Sequence, residues 1–217
     1  MLRSVHLQFP YGLCLLVASA VPGGALGLGQ AQPAPATKQA AGTKAPDLGS
    51  FSDGTYRNSS FGFSYKVPYG WVDRTEPMRQ GTPPDSKSLL LLAVFERPPE
   101  AKGDDINSAV VFTAESVSAY PGLKTAADYF DPLTEMTTGK GFKVVEEPYE
   151  FEVGTKKLVR GDFKKDIGSL SMYQTFLVTV EKGYVVSFSF IADSEDDLEA
   201  MIMDLNFTAA RRPARRH

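Results

Sequence analysis

Two runs rich in β-branched and aromatic residues, Leu170–Val180 and Tyr184–Ala192, flank a glycine at position 183, and after Ser194 the apolar positions change to helical spacing. The first part reads as a hairpin. A three-residue loop, with Glu181 and Lys182 right-handed and Gly183 left-handed, pairs Val180 with Tyr184, Val178 with Val186 and Phe176 with Phe188. A two-residue loop of Lys182 and Gly183 would instead set Val178 against Ser187 and Phe176 against Ser189, mixing apolar and polar partners. The three-residue register is therefore expected, because it gathers one strongly apolar face. Tyr173, Leu177, Val185 and Ile191 lie on the other face, which predicts partial cover there too.

The helix after the hairpin has its own start signal. Ser194 is a good N-cap, Asp197 follows three residues on, and Glu195 and Asp196 sit favourably at the positive end of the helix dipole. Leu198, Met201, Ile202 and Leu205 form one stripe that should dock on the hairpin. The run DSEDD lacks the alternating ligand spacing and internal glycine of a calcium loop, so capping is the better reading.

Earlier in the chain, Phe61, Phe63, Tyr65 and Val67 alternate as a strand that Pro68 stops. A loop is expected from Arg74 to Ser88, with Pro77, Gly81, Pro83 and Pro84 in it. Strands follow at Leu89–Glu96 and Ala109–Glu115, whose near-continuous apolar runs suit central positions covered on two faces. Thr125 is placed to cap a helix carrying Ala126, Tyr129, Phe130, Leu133 and Met136. Pro132 either kinks that helix, or Asp131 caps a second turn with Pro132 in its first position. Gly139 and Gly141 end the segment, and Phe142–Val153 and Lys156–Lys164 alternate as two strands around Gly154.

The ends differ in composition from the middle. Residues 1–31 resemble an export signal: Arg3 and His6 precede the apolar run GLCLLVASAV, which is too short to span a bilayer, with candidate cleavage after Ala20 or Ala31. Retention as an uncleaved anchor is the rival, and only in that case is a membrane a partner. Residues 32–50 form a Pro- and Ala-rich spacer with Leu48 as its one large apolar side chain. The folded part is expected at 51–208 as one domain, followed by a basic tail at 209–217. Of 23 basic residues seven lie in the two ends, and of 26 acidic residues one does, so 51–208 carries a net charge of −9. That balance argues against a nucleic-acid partner.

Catalytic chemistry is constrained by what is missing. Cys14, His6 and His217 are the only cysteine and histidines of the chain, and none falls within 51–208. A cleaved domain would have no disulfide, thiol nucleophile, Ser-His-Asp triad or His/Cys metal site. No serine of 51–208 has a lysine three residues on, so a serine-lysine nucleophile is excluded as well. No enzyme activity, cofactor or catalytic residue is therefore expected. The contact surface is expected at Tyr69, Trp71, Arg74 and Arg79, at the root and start of the Pro-rich loop, because long aperiodic loops are commonly functional and aromatic and arginine side chains dominate interface energetics. The alternative, that Trp71 plugs the end of the core, stays open.

The pattern Tyr56-x-Asn58, Phe61-Gly62-Phe63-Ser64, Pro68-x-Gly70-Trp71, a central helix, and Gly183-Tyr184 leading to a last strand and an acid-capped helix resembles the PsbP-like superfamily. The resemblance covers about Tyr56–Phe207. It implies an α+β fold, a mainly antiparallel sheet covered by helices on both faces. Members of that superfamily include exported bacterial proteins of the DcrB type and a nuclear-transport factor that binds the Ran GTPase. For this chain the resemblance implies a bacterial, exported, periplasmic or extracellular interaction module, a scaffold or assembly factor with a protein partner in the cell envelope. The alternative is a small-ligand or divalent-cation binder using the acidic surface. Metal positions of plant members do not transfer, since they depend partly on histidines absent from 51–208.

Overall fold

The computed structural model describes residues 45–83 and 86–207; the expected signal, most of the spacer and the basic tail lie outside them. Eleven strands and three α-helices follow in order: β1 (Ser50–Ser52), β2 (Thr55–Asn58), β3 (Phe63–Lys66), β4 (Val72–Asp73), α1 (Thr75–Gln80), β5 (Ser88–Phe95), β6 (Ala109–Ser116), α2 (Phe130–Gly139), β7 (Lys143–Val153), β8 (Lys156–Ile167), β9 (Leu170–Glu181), β10 (Tyr184–Ala192), α3 (Glu195–Met203) and β11 (Leu205–Phe207). They form a seven-stranded sheet, β4-β5-β6-β10-β9-β8-β7, and a four-stranded one, β1-β2-β3-β11, with antiparallel pairing throughout.

Register assigns the two faces of the large sheet. Leu92, Phe112, Phe188 and Leu177 stand opposite one another in a row across four strands. That face packs against Tyr56, Phe63 and Tyr65 of the small sheet and Leu198, Met201 and Ile202 of α3. Ala93, Val111, Ser189 and Phe176 make a row of the opposite face, where Phe130 and Leu133 of α2 pack with Phe163, Phe176, Val178 and Val185. The mainly antiparallel sheet is as expected. Cover of the first face comes largely from a second sheet, which the expectation of helical layers did not include.

The hairpin register departs from expectation. Val185 faces Val180, Ser187 faces Val178 and Ser189 faces Phe176, so the loop is the two-residue one. Lys182 (φ 50°) and Gly183 (φ 82°) both take positive φ, the requirement of a type I′ turn whose twist matches the strands. Two-sided burial removed the penalty assumed for mixed pairs: Ser187 and Ser189 are themselves buried beside Phe176 and Val178. Gly183→Val should lower stability by about 1–2 kcal/mol, because a β-branched residue is strained at that φ. Chemical denaturation checks this, and an unshifted midpoint would remove the left-handed requirement.

The helices show how caps and prolines act. Ser194 accepts from the Asp197 N–H at 3.2 Å, as its position predicts, and α3 docks on the hairpin through its buried stripe. Thr125 and Asp128 cap reciprocally, Oδ2 of Asp128 accepting from the Thr125 N–H at 2.8 Å and Oγ1 of Thr125 from the Asp128 N–H at 3.4 Å. A 3₁₀ turn, Ala127–Tyr129, then leads into α2. Asp131 is not the cap that one expectation made it: the N-cap of α2 is Tyr129, and Pro132 is the third residue of the helix, in the first turn, where a backbone N–H has no intrahelical acceptor to lose. The Arg74–Ser88 loop also contains α1, so it is not structureless. Folded structure begins before residue 51, because Asn58 Nδ2 donates to the Asp47 carbonyl at 2.9 Å and Tyr56 OH to the Leu48 carbonyl at 2.8 Å.

Candidate interaction surface

Pro68-Tyr69-Gly70-Trp71 forms a tight turn in which the Trp71 N–H donates to the Pro68 carbonyl at 3.3 Å and Gly70 has φ 85°. Positive φ at the third position is the mark of a type II turn, and it explains the glycine there. The turn sends its two aromatic residues to opposite fates. Trp71 is half-buried and packs against the core shared by the two sheets, whereas Tyr69 is fully exposed, at 105% of its reference area. An anchored tryptophan thus holds a tyrosine out in solvent.

The two arginines have internal duties. Arg74 donates from one nitrogen to both carboxylate oxygens of Glu100, at 2.5 and 2.6 Å, tying the start of α1 to the loop between β5 and β6. Arg79 reaches back from α1 to three carbonyls, those of Leu90 (2.8 Å), Leu91 (2.8 Å) and Leu48 (3.0 Å). Pairing of β5 with β6 shifts register between Leu90 and Leu92, and Arg79 supplies donors to that bulge. No hydrogen bond, ion pair or ring contact joins either arginine to Tyr69 or Trp71 among the described residues. Replacing Arg79 would therefore disturb the fold, and the turn carries the candidate surface.

Three polar constellations escaped the sequence reading. The first is a groove of about 1020 Å³ at the hairpin tip, lined by Asp47, Ser59, Phe61, Ser116, Lys182 and Tyr184 among others. Asp47 is held there by Ser59 Oγ (2.9 Å) and the Gly49 N–H (3.1 Å), bonds that keep its carboxyl below the usual range. Lys182 Nζ donates to the Ser60 carbonyl.

The second is Arg160 on β8, 8% exposed. Its Nε donates to both oxygens of Asp162 at 3.0 and 2.9 Å, and another guanidinium nitrogen meets Glu199 of α3 at 2.5 Å. Thr175 and Tyr149 hydroxyls also donate to Asp162, at 2.5 and 3.3 Å, while the guanidinium lies 5.1 Å from the Phe151 ring centre. The guanidinium thus bridges Asp162 of β8 and Glu199 of α3, so the network fastens α3 to the sheet.

The third is Glu115, buried on β6 at the end of an apolar run, where the Tyr120 and Tyr129 hydroxyls donate to its carboxylate. Burial pushes its carboxyl above the ordinary 4.5, and the two hydroxyls offset part of that rise. The folded state therefore binds the proton more tightly than the unfolded chain. Stability supplied by the protonated form should be present below the unfolded pKa and be lost as pH rises from there through the folded value. Glu115→Gln should flatten this acid-side slope in pH-dependent denaturation, and an unchanged slope would assign the effect to other groups.

Among the described residues no group of three or more His, Cys, Asp or Glu could hold a metal ion, and no helix is long and apolar enough to cross a membrane.

No family model matches the chain, and no curated protein does. Solved structures do. A PsbP from the cyanobacterium Synechocystis matches with a TM-score of 0.46 and 11% identity, over 71% of this chain and 91% of its own. The Ran-binding protein Mog1p of Saccharomyces cerevisiae matches at 0.44 and 11%, over 73% and 96%. LpqN, involved in cell envelope biogenesis of Mycobacterium tuberculosis, matches at 0.40 and 13%, over 68% and 83%. The PsbP-like resemblance thus has a counterpart among solved structures. At these scores and identities the likeness is a similarity alone and carries no argument about activity or partners.

Proposed function

We propose that this domain is a non-enzymatic interaction module, exported to the cell envelope, where it serves as a scaffold or assembly factor for a protein partner. The observation that carries the reading is the Pro68–Trp71 turn: a fully exposed tyrosine on a backbone fixed by a proline, a left-handed glycine and a half-buried tryptophan. Tyrosine offers a large contact area for the ordering of only two side-chain torsions, and its rigid base lowers the entropy lost on binding. The same reading takes the domain as a PsbP-like α/β/α arrangement, supported by α2 and α3 belonging to separate apolar clusters.

A photo-crosslinking residue placed at position 69 should capture one defined envelope protein, and the same residue at the exposed Lys157 should not. Tyr69→Ala should lose capture of that protein with no change in melting temperature. Capture from both positions, or from neither, would remove the turn as the surface. Intact mass of the exported protein tests the export step, and a mass including Cys14 would rule out cleavage at Ala20 or Ala31.

The groove at the hairpin tip supports a second reading, a small-ligand site among serine hydroxyls, Lys182 and the Phe61–Tyr184 ring pair, whose centres lie 5.8 Å apart. Calorimetry with a small-molecule panel separates the two, because a ligand held there should be lost on Tyr184→Ala and unaffected by Tyr69→Ala.

A further inference from the structure

Among the described residues the two sheets end in four edge strands. β4 has two residues and β1 and β11 have three each, too few to template a further strand. β7 has 11 and is bordered by β8 alone. Its two halves differ. Between Val144 and Tyr149 the register against β8 shifts twice, and Pro148 lacks an N–H; bulges and prolines of this kind keep an edge from pairing. From Tyr149 to Val153 the pairing is regular, residue by residue, against Arg160 back to Lys156. Alternate residues of a regular antiparallel pair turn their N–H and C=O groups away from the partner strand, so this run presents an ordered row of donors and acceptors at the margin of the sheet.

The same run alternates in chemistry. Phe151 and Val153 are half-buried against the core shared by the two sheets, and the Tyr149 ring meets that of Phe151 at 6.5 Å. Glu150 and Glu152 point to the other face and are exposed. Lys157, 3.5 Å from Glu150, is the one cation paired with either carboxylate among the described residues. Two copies joined through this run would bring like charges together, so the pattern disfavours self-pairing. A strand with lysine or arginine at alternate positions would match Glu150 and Glu152, and apolar residues between them would extend the layer of Phe151 and Val153. We propose that Tyr149–Val153 receives such a segment, basic and apolar in alternation, from a second protein distinct from the one that meets Tyr69, and holds it as an added edge strand. This rests on the reading of the domain as an interaction module and supplies the second surface that a scaffold needs. The Tyr69 turn leads into β4, at the opposite edge of the seven-stranded sheet, roughly 29 Å away at the usual strand spacing.

Hydrogen exchange on the full chain, titrated with a synthetic peptide of alternating lysine and valine, tests the assignment. At low salt the bound peptide should slow exchange of the amides of residues 149–153 roughly tenfold and leave those of the small sheet unchanged. A peptide of alternating glutamate and valine should not protect them. Neither should the lysine–valine peptide N-methylated throughout, which keeps every charge and loses every donor. Glu150→Gln with Glu152→Gln should weaken binding about fivefold, a difference that should vanish at about 0.5 M salt, where exposed ion pairs are screened. Tyr69→Ala should leave peptide binding unchanged, so loss of this site and loss of the turn surface are separate results. No protection at about 1 mM peptide would overturn the proposal. Equal protection by the methylated peptide would do so too, since the contact would then be one of charge alone. So would protection that grows with protein concentration in the absence of peptide, which would make a second copy the occupant.

Discussion

Phe112→Ala should destabilise the domain by about 3–5 kcal/mol, the largest effect expected of any single truncation here. Phe112 has no exposed area, and four aromatic rings surround it: Phe188 at 4.9 Å, Tyr65 at 5.2 Å, Phe63 at 5.7 Å and Phe190 at 5.8 Å between ring centres. All four meet it edge-on or tilted, with interplanar angles of 73°, 82°, 77° and 69°, the geometry in which ring quadrupoles attract. These neighbours come from β3 of the small sheet and β10 of the large one, so the site is walled from both sides and collapses poorly around a cavity. Urea denaturation of Phe112→Ala beside Phe112→Leu, for which about 1–1.5 kcal/mol is expected, checks this. A loss below about 1 kcal/mol for alanine would mean that the two sheets do not share one core.

Gly161→Val should cost about 3 kcal/mol by the opposite route, overpacking. A Cβ at Gly161 would meet Cε1 of Phe130 at 2.4 Å and Cδ1 at 2.9 Å. Phe130 cannot yield easily, being 2% exposed and packed with Leu133, Phe163 and Phe176. The missing side chain on β8 is therefore the seat into which α2 drops its ring, and valine should lift the helix off the sheet. Fluorescence-detected unfolding of Gly161→Val, set beside Gly161→Ala as the milder step, gives the measure. If neither differs from the parent protein, α2 does not sit on this glycine.

Much of this architecture was legible from local signals, because caps, glycines and alternation act over a few residues. Ser194 with Asp197, the apolar stripe of α3, the turn at Gly154 and the strand ends at Pro68 follow from neighbours in sequence. The hairpin register was not legible from the pattern of one face, because both faces are buried and Ser187 and Ser189 go inside with the rest. The anchoring of Arg79 was illegible for a related reason. Its composition suits an interface, but its acceptors at Leu48, Leu90 and Leu91 come together only after β5 bulges against β6. Glu115 gave a faint signal, a carboxylate ending an apolar strand, while the tyrosines that satisfy it arrive from the following segment. Pro68 and Gly70 made the turn around Tyr69 and Trp71 legible, whereas the division of the two aromatics into a half-buried and an exposed ring required three dimensions.

The pairing of β3 with β11 also has a temporal consequence. Leu205, Asn206 and Phe207 lie opposite Tyr65, Ser64 and Phe63, so nearly the whole domain separates the two partners along the chain. β7, β8, β9 and β10 follow one another as adjacent hairpins, whose loops close quickly, while the clasp between the ends carries a much larger entropic cost of closure. The meander should therefore form before the small sheet is complete. A chain emerging from its N-terminus cannot close that sheet until residue 207 is free, and until then Phe63 and Tyr65 lack one of their two flanking strands. The small sheet is thus held open by topology until the last strand of the domain has been made.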